Sequence, residues 1–142
     1  MMVLNLEDKK AEFDKLMGVE YTGVKGQSAI NKLLSEEQGH VKDAFYRDDV
    51  GFIDVFYGDK TAGLHHIVAE RNKRGTSGQK FAGELGAVIE KGVAFAGKND
   101  QRMNIVYKGK IAVVAFELRG TETSALLTAF YTKNKDRSPG EG

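Results

Sequence analysis

Apolar positions along the chain change period twice. Over residues 6–17 Leu6, Phe13, Leu16 and Met17 recur at roughly helical spacing, and Gly18 ends the run. Residues 18–26 hold three glycines and read as a loop. From Gln27 to Glu37 Ala29, Ile30, Leu33 and Leu34 fall on one helical face, with Ser28 as a cap, and Gly39 interrupts the pattern. Val41, Ala44 and Phe45 continue at helical spacing, so His40 to Arg47 is predicted as a short third helix. Residues 52–57, Phe-Ile-Asp-Val-Phe-Tyr, are the first clear strand, closed by a Gly58-Asp-Lys turn.

Gly63 to Asn72 returns to helical spacing through Leu64, Ile67 and Val68. Gly75 to Gly78 is a basic linker, and Phe81 to Lys91 is predicted as one helix, with Gly83 and Gly86 weakening it by ~1 kcal/mol each relative to alanine. The last third alternates. Arg102 to Tyr107 and Lys110 to Leu118 are strands joined by Lys108-Gly109. Arg119 to Thr123 turns the chain, and Ser124 to Thr132 closes the sheet. Helices collected on one side of an antiparallel sheet of about four strands make an α+β domain, with the other sheet face the natural place for a site. The expected divisions are an N-terminal helix and loop over residues 1–26, the main domain over 27–132, and a polar tail over 133–142.

Composition narrows the classes. No apolar run approaches the ~20 residues that span a bilayer, and the start lacks the basic flank of a secretory signal. With no cysteine there is neither a disulfide framework nor a thiolate nucleophile, which fits action in the cytosol. The net charge of +1 is uneven. Residues 1–51 hold seven Lys/Arg against ten Asp/Glu, residues 52–142 fourteen against ten, and residues 71–80 carry Arg71, Lys73, Arg74 and Lys80 with no acid. Local excess of this kind suits a phosphate site better than a long duplex track. Lys108 with Lys110, and Lys133, Lys135 and Arg137, repeat it on a smaller scale.

Histidine points to the chemistry. There are three, and His65 and His66 stand together where the strand gives way to a helix. Imidazole is the side chain best suited to moving protons near neutral pH. Neighbours on a helix point ~100° apart, so the two are poor joint chelators. Of the two, only His66 has an acid four positions away, Glu70, which is too little for a metal site, and no cofactor is expected. There is no P-loop, dinucleotide-binding glycine motif or Gly-x-Ser-x-Gly elbow.

Taken in order, Gly39-His-Val-Lys-Asp-Ala-Phe-Tyr-Arg47, Gly51-Phe-Ile-Asp-Val-Phe-Tyr-Gly58, Gly63-Leu-His-His-Ile67 and Leu126-Leu-Thr-Ala-Phe-Tyr131 resemble the phage-associated branch of the barnase, EndoU, colicin and RelE-like nuclease superfamily. The resemblance covers residues 27–132. It implies a barnase/RelE-like fold and metal-independent cleavage of RNA, in which the ribose 2′-hydroxyl attacks the adjacent phosphate to leave a cyclic phosphate. It further implies RNA as partner (tRNA among the candidates), an immunity or antitoxin protein, and a toxin or effector domain delivered in a larger phage polyprotein. His66 matches the family's histidine, Thr128 its strand threonine and Arg47 the arginine ahead of the first strand. Tyr57 stands where many relatives have tryptophan. Arg71 occupies a position where relatives often have a second histidine, and arginine can stabilise charge but hardly act as a base.

The site residues implied are therefore His66, Arg71, Thr128, Arg47, His65 and Tyr131, with Lys73, Arg74, Lys80 and Lys110 on the substrate. Each also has a plainer reading. A histidine on a helix is often a structural hydrogen-bond partner, and either of the pair could be the active one. His40 reads as a surface residue and Arg47 as a cap on a helix C-terminus. Thr128 is an ordinary β-former, Tyr131 a packing residue, Lys110 a solvated turn lysine, and Asp54 a solvent-facing or ion-paired carboxylate.

Overall fold

The computed structural model describes residues 6–132, so the expected tail and its basic residues lie outside the described part. The elements run α1 (Leu6–Met17), α2 (Gly26–Glu36), β1 (His40–Arg47), β2 (Gly51–Phe56), α3 (Leu64–Lys73), α4 (Gly78–Gly83), α5 (Leu85–Lys91), β3 (Val93–Ala96), β4 (Arg102–Tyr107), β5 (Lys110–Leu118) and β6 (Thr121–Tyr131). The α+β class stands, but the sheet has six strands rather than about four, in the order β1-β2-β6-β5-β4-β3. β3 to β6 form an antiparallel meander, and β2 joins it in parallel beside β6 at Asp54 and Ala125.

The segment His40 to Arg47, expected to be a helix, is an edge strand. It pairs with β2 from Val41 opposite Val55 to Phe45 opposite Ile53, so three residues stand against one between those pairs. That bulge places Asp43 at φ 53, where the Asp54 carboxylate accepts its N–H at 2.8 Å. The extra residues break the two-residue alternation, and Val41, Ala44 and Phe45 all end buried. Three apolar residues at helical spacing were thus the mark of a bulged strand. Burial raises the pKa of the half-buried Asp54 more than the Asp43 N–H lowers it, so this carboxylate serves the bulge rather than solvent.

Other boundaries moved for local reasons. Residues 81–91 do not form one helix: the turn breaks at Glu84, and α4 starts earlier because the Ser77 hydroxyl accepts the Lys80 N–H. Gly86 permits the close packing of α2 on α5. Gln27 accepts its N–H at 2.6 Å, and a Cβ there would meet the same side chain at 2.7 Å. β3 carries only four residues, and nothing in the sequence reading assigned it. The β5–β6 connection is the two-residue turn Arg119-Gly120, with φ 50 and 81, matching Lys108-Gly109 at 46 and 81. Both residues positive in φ give the hairpin twist that continues the strands.

Helices cover both faces of the sheet rather than one. α2 to α5 bury Ile30, Leu33, Leu64, Ile67, Phe81 and Ile89 against Ile105, Val114 and Leu126. α1 lies on the reverse face, where Leu16 and Met17 meet Ala115, Ala125 and Leu118. Ala115 follows Val114 and Ala125 precedes Leu126, so strand alternation alone separates the two cores. No helix among the described residues is long and apolar enough to cross a membrane.

Candidate active site

The histidine pair opens α3, and its geometry is set by the loop before it. β2 ends at Phe56, and Tyr57 gives its N–H to Gly39 at 2.8 Å while its carbonyl accepts the His65 N–H at 2.8 Å. Gly63 at φ 90 precedes α3, and a Cβ there would strike the Tyr57 carbonyl at 2.7 Å. Glycine is required for the chain to turn this tightly from strand to helix. The Gly63 N–H bonds Leu127 of β6 at 2.8 Å, fixing the loop to the sheet.

The loop is further tied by Asp59. One carboxylate oxygen accepts from the Thr61 N–H at 2.8 Å and hydroxyl at 2.6 Å. The other takes an Arg119 N–H at 3.0 Å from the β5–β6 turn, and Arg119 also donates to the Thr61 hydroxyl at 3.2 Å. Burial alone would raise the Asp59 pKa, but the Thr61 hydrogen bonds and Arg119 outweigh it and hold it down at about 2.

Two different hydrogen-bond environments follow for adjacent imidazoles. His66 Nδ1 lies 2.8 Å from the Lys60 carbonyl. A carbonyl can only accept, so Nδ1 carries the proton and a neutral His66 has its lone pair on Nε2. His65 Nδ1 lies 3.0 Å from the Tyr57 hydroxyl, with the rings tilted at 50° and 5.3 Å apart. Burial and the nearby Glu37 charge raise the Tyr57 pKa, so this phenol stays protonated and has a hydrogen to donate. A phenol hydroxyl both donates and accepts, so Tyr57 can serve His65 Nδ1 in the neutral ring or in the protonated one. Both rings are half-buried. His65 lines an open cleft of about 570 Å³ with Glu37, Tyr57, Asp59, Lys60 and Thr61.

The remaining expected site residues do not gather here. Arg71 is 4% exposed, and its guanidinium sits over the rings of Phe81 at 5.7 Å and Tyr131 at 6.0 Å. Phe81 meets Tyr131 edge-on at 4.9 Å. Lys110 lies 5.8 Å over the Tyr131 ring, and its ammonium pairs with Glu84 at 3.3 Å. Arg71, Tyr131 and Lys110 are therefore together, packed under the helical layer, and Lys110 is not the solvated turn lysine of the plainer reading. Thr128 stands opposite Val113 on β5, and Tyr131 opposite Lys110, so alternation puts Thr128 on the reverse face of the sheet. Lys73, Arg74 and Lys80 are exposed, the first two at the far end of α3 and the third on α4.

Arg47 is at the end of β1 farther from the histidine loop, opposite Gly51, and its guanidinium is committed. It holds both Asp49 oxygens, at 2.9 and 2.8 Å, and both the Ile89 and Gly92 carbonyls, at 2.7 and 2.9 Å. Four of its five N–H donors are filled. It closes the C-terminus of α5 rather than of a helix at 40–47, and its hydrogen bonds hold the Asp49 carboxyl below the usual range. His40 is likewise not a surface helix residue: its Nδ1 lies 3.2 and 3.1 Å from the Met17 and Gly18 carbonyls, tying α1 to β1.

Tyr57 and Lys60 hold the histidines, and Asp59 and Arg119 tie the loop before them, without having been expected to. Asp59-Lys-Thr61 just ahead of Gly63 carries a local signal, since an aspartate two residues before a threonine N–H is a turn former. The Asp59–Arg119 pair spans 60 positions, beyond any local pattern.

Among the described residues no group of three or more His, Asp or Glu side chains is placed to hold a metal ion. Comparison with curated proteins and with solved structures gives no significant match. A family profile does match, over residues 44–137, and its span runs from β1 through the loop and histidines to β6 and beyond. Roughly two thirds of the chain is covered, so the protein belongs to the phage-Barnase-EndoU-ColicinE5/D-RelE like nuclease family 1.

Proposed function

We propose that the protein is a metal-independent endoribonuclease that cleaves RNA by attack of a ribose 2′-hydroxyl on the adjacent phosphate. The observation that carries this reading is the 2.8 Å hydrogen bond from His66 Nδ1 to the Lys60 carbonyl, which leaves Nε2 as a base. His66 takes the 2′ proton as the 2′ oxygen bonds to phosphorus. The bond to the 5′ oxygen breaks, and protonated His65, steadied by Tyr57, returns a proton to that leaving oxygen. Lys60, which lines the cleft with His65, supplies the ammonium that offsets the charge building on the phosphoryl oxygens. The products are a 2′,3′-cyclic phosphate and a 5′-hydroxyl. No step falls to Arg47 or Arg71, whose guanidiniums are occupied within the fold.

The family's phage association favours a toxin or effector domain acting in the cytoplasm on cellular RNA such as tRNA, and restrained by an immunity or antitoxin protein. The test is incubation with total RNA and tRNA in excess EDTA, with the fragment ends analysed. Cyclic phosphate ends are expected, and a single 2′-deoxy nucleotide at the cut site should abolish cleavage there. Intact RNA under all such conditions would overturn the reading. One observation favours a second reading, a non-catalytic RNA- or protein-binding module on the same scaffold: Arg71, where relatives often have histidine, is buried against Phe81 and Tyr131. RNA bound without products would select it.

A further inference from the structure

Among the described residues, the reverse face of the sheet is covered by α1 only at the β5–β6 end, and at the other end none of them covers it. Ala94, Ile105, Ala112 and Ala129 form one cross-strand row directed at the helical core. The flanking rows therefore face the opposite way. One is Val93, Val106, Ile111 and Phe130. The other is Phe95, Asn104, Val113 and Thr128. Val93 is 59% exposed and Phe95 56%, although both belong to the sheet. An aromatic ring on an edge strand with more than half its surface in water has nothing among the described residues to explain it.

The charge around it is equally one-sided. Lys91, Lys98, Arg102 and Lys108 flank β3 and β4, all exposed, against the single acid Asp100 in residues 91–110. None of the four cations is in an ion pair with a described residue, and of the four Lys108 lies over an aromatic ring, that of Tyr107, at 5.4 Å. A surface built to dock a protein excludes lysine from its centre. An aromatic face ringed by unpaired cations fits a base with phosphates on either side.

We infer that the β3–β4 hairpin is a binding platform for single-stranded RNA. Phe95 stacks a nucleobase, and the Asn104 amide, directly across the strand pair, hydrogen-bonds that base's edge. Arg102 and Lys98 hold the flanking phosphates. Bases in a duplex are already stacked on one another and cannot offer a face to Phe95, so the platform selects unpaired strands. This rests on the reading that RNA is the substrate, and it adds a contact for nucleotides away from the scissile bond.

The test is fluorescence anisotropy in EDTA with the His66→Ala protein, so that cleavage does not enter. The probes are an unstructured 12-nucleotide RNA and the same strand in a duplex. Adding Phe95→Ala is expected to weaken single-strand binding about fivefold or more, as for loss of one stacked base. Phe95→Tyr should retain it. Lys98→Gln and Arg102→Gln should each reduce the slope of log affinity against log salt by about 0.7. Because Phe95 is exposed, thermal melting should be unchanged in Phe95→Ala, which separates this effect from misfolding. A smaller loss than fivefold, equal Phe95-independent binding of the duplex, or no RNA binding by either protein would overturn the platform. So would an effect of Phe95→Ala on oligomeric state with RNA affinity unaltered, which would mark the face as a protein contact. Cleavage in EDTA by the wild-type protein is scored separately, so the platform and the nuclease reading fail independently.

Discussion

Helix α3 carries two polar clusters within two turns of each other, and they are built on opposite principles. At its start His65 and His66 each have one ring nitrogen fixed by a neighbour, while the rings remain half exposed. Further along, Arg71 is sealed between aromatic rings, with Lys110 held by Glu84 at the edge of the same cluster. The first arrangement fixes orientation and leaves a proton-accepting atom available. The second uses charge to fill space and gives little access to a substrate. Residue type alone does not separate a reactive group from a structural one; the hydrogen-bond environment does.

The comparison breaks most visibly at His66. His66→Ala is expected to lower the rate of RNA cleavage about 10²–10⁴-fold while barely changing stability, measured by single-turnover assay and denaturant melts on the same samples. Arg71→Ala should do the reverse. Losing a desolvated cation packed on two rings should cost about 2–4 kcal/mol of folding stability, read by urea unfolding, with the folded fraction keeping its specific activity. Loss of activity in a fully folded Arg71→Ala protein would place that guanidinium in the chemistry after all.

Smaller effects sharpen the picture at the loop. The Asp59 carboxyl is held at about 2, below its unfolded value of ~3.9. Its ionised form thus contributes stability above pH ~4, and that contribution is lost as pH falls from ~4 to ~2. Asp59→Asn should flatten this part of the melting-temperature profile. It should also lower cleavage severalfold, because the loop that presents the Lys60 carbonyl loses its tie to Arg119. Tyr57→Phe removes only the hydroxyl at His65 and should slow cleavage by a few-fold, with a shift in the alkaline-side limb of the pH–rate profile, where the general acid loses its proton.

Much of the fold was legible wherever local rules act alone. The meander could be read because Lys108-Gly109 is flanked by β-rich runs, and α1, α2 and α3 because their apolar spacing is undisturbed. Strand β1 was misread because its bulge spaces Val41, Ala44 and Phe45 as a helix would, and the partner that enforces the bulge, Asp54, is on another strand. Strand β3 is too short to carry a pattern. Of the site, the histidine pair stood out by rarity and position, and the family resemblance named His66. The resemblance also nominated Arg47, but the groups that fill its guanidinium, Ile89 and Gly92, lie more than forty residues away. Arg119 was invisible for the same reason.

The claim that matters most is that the Lys60 carbonyl keeps the His66 proton on Nδ1 and leaves Nε2 bare. Long-range ¹H–¹⁵N NMR of the labelled protein, at a pH where His66 is neutral, reads this directly. Nε2 is expected to give the shift of an unprotonated nitrogen and Nδ1 that of an N–H. A neutral ring with its proton on Nε2 would contradict the account.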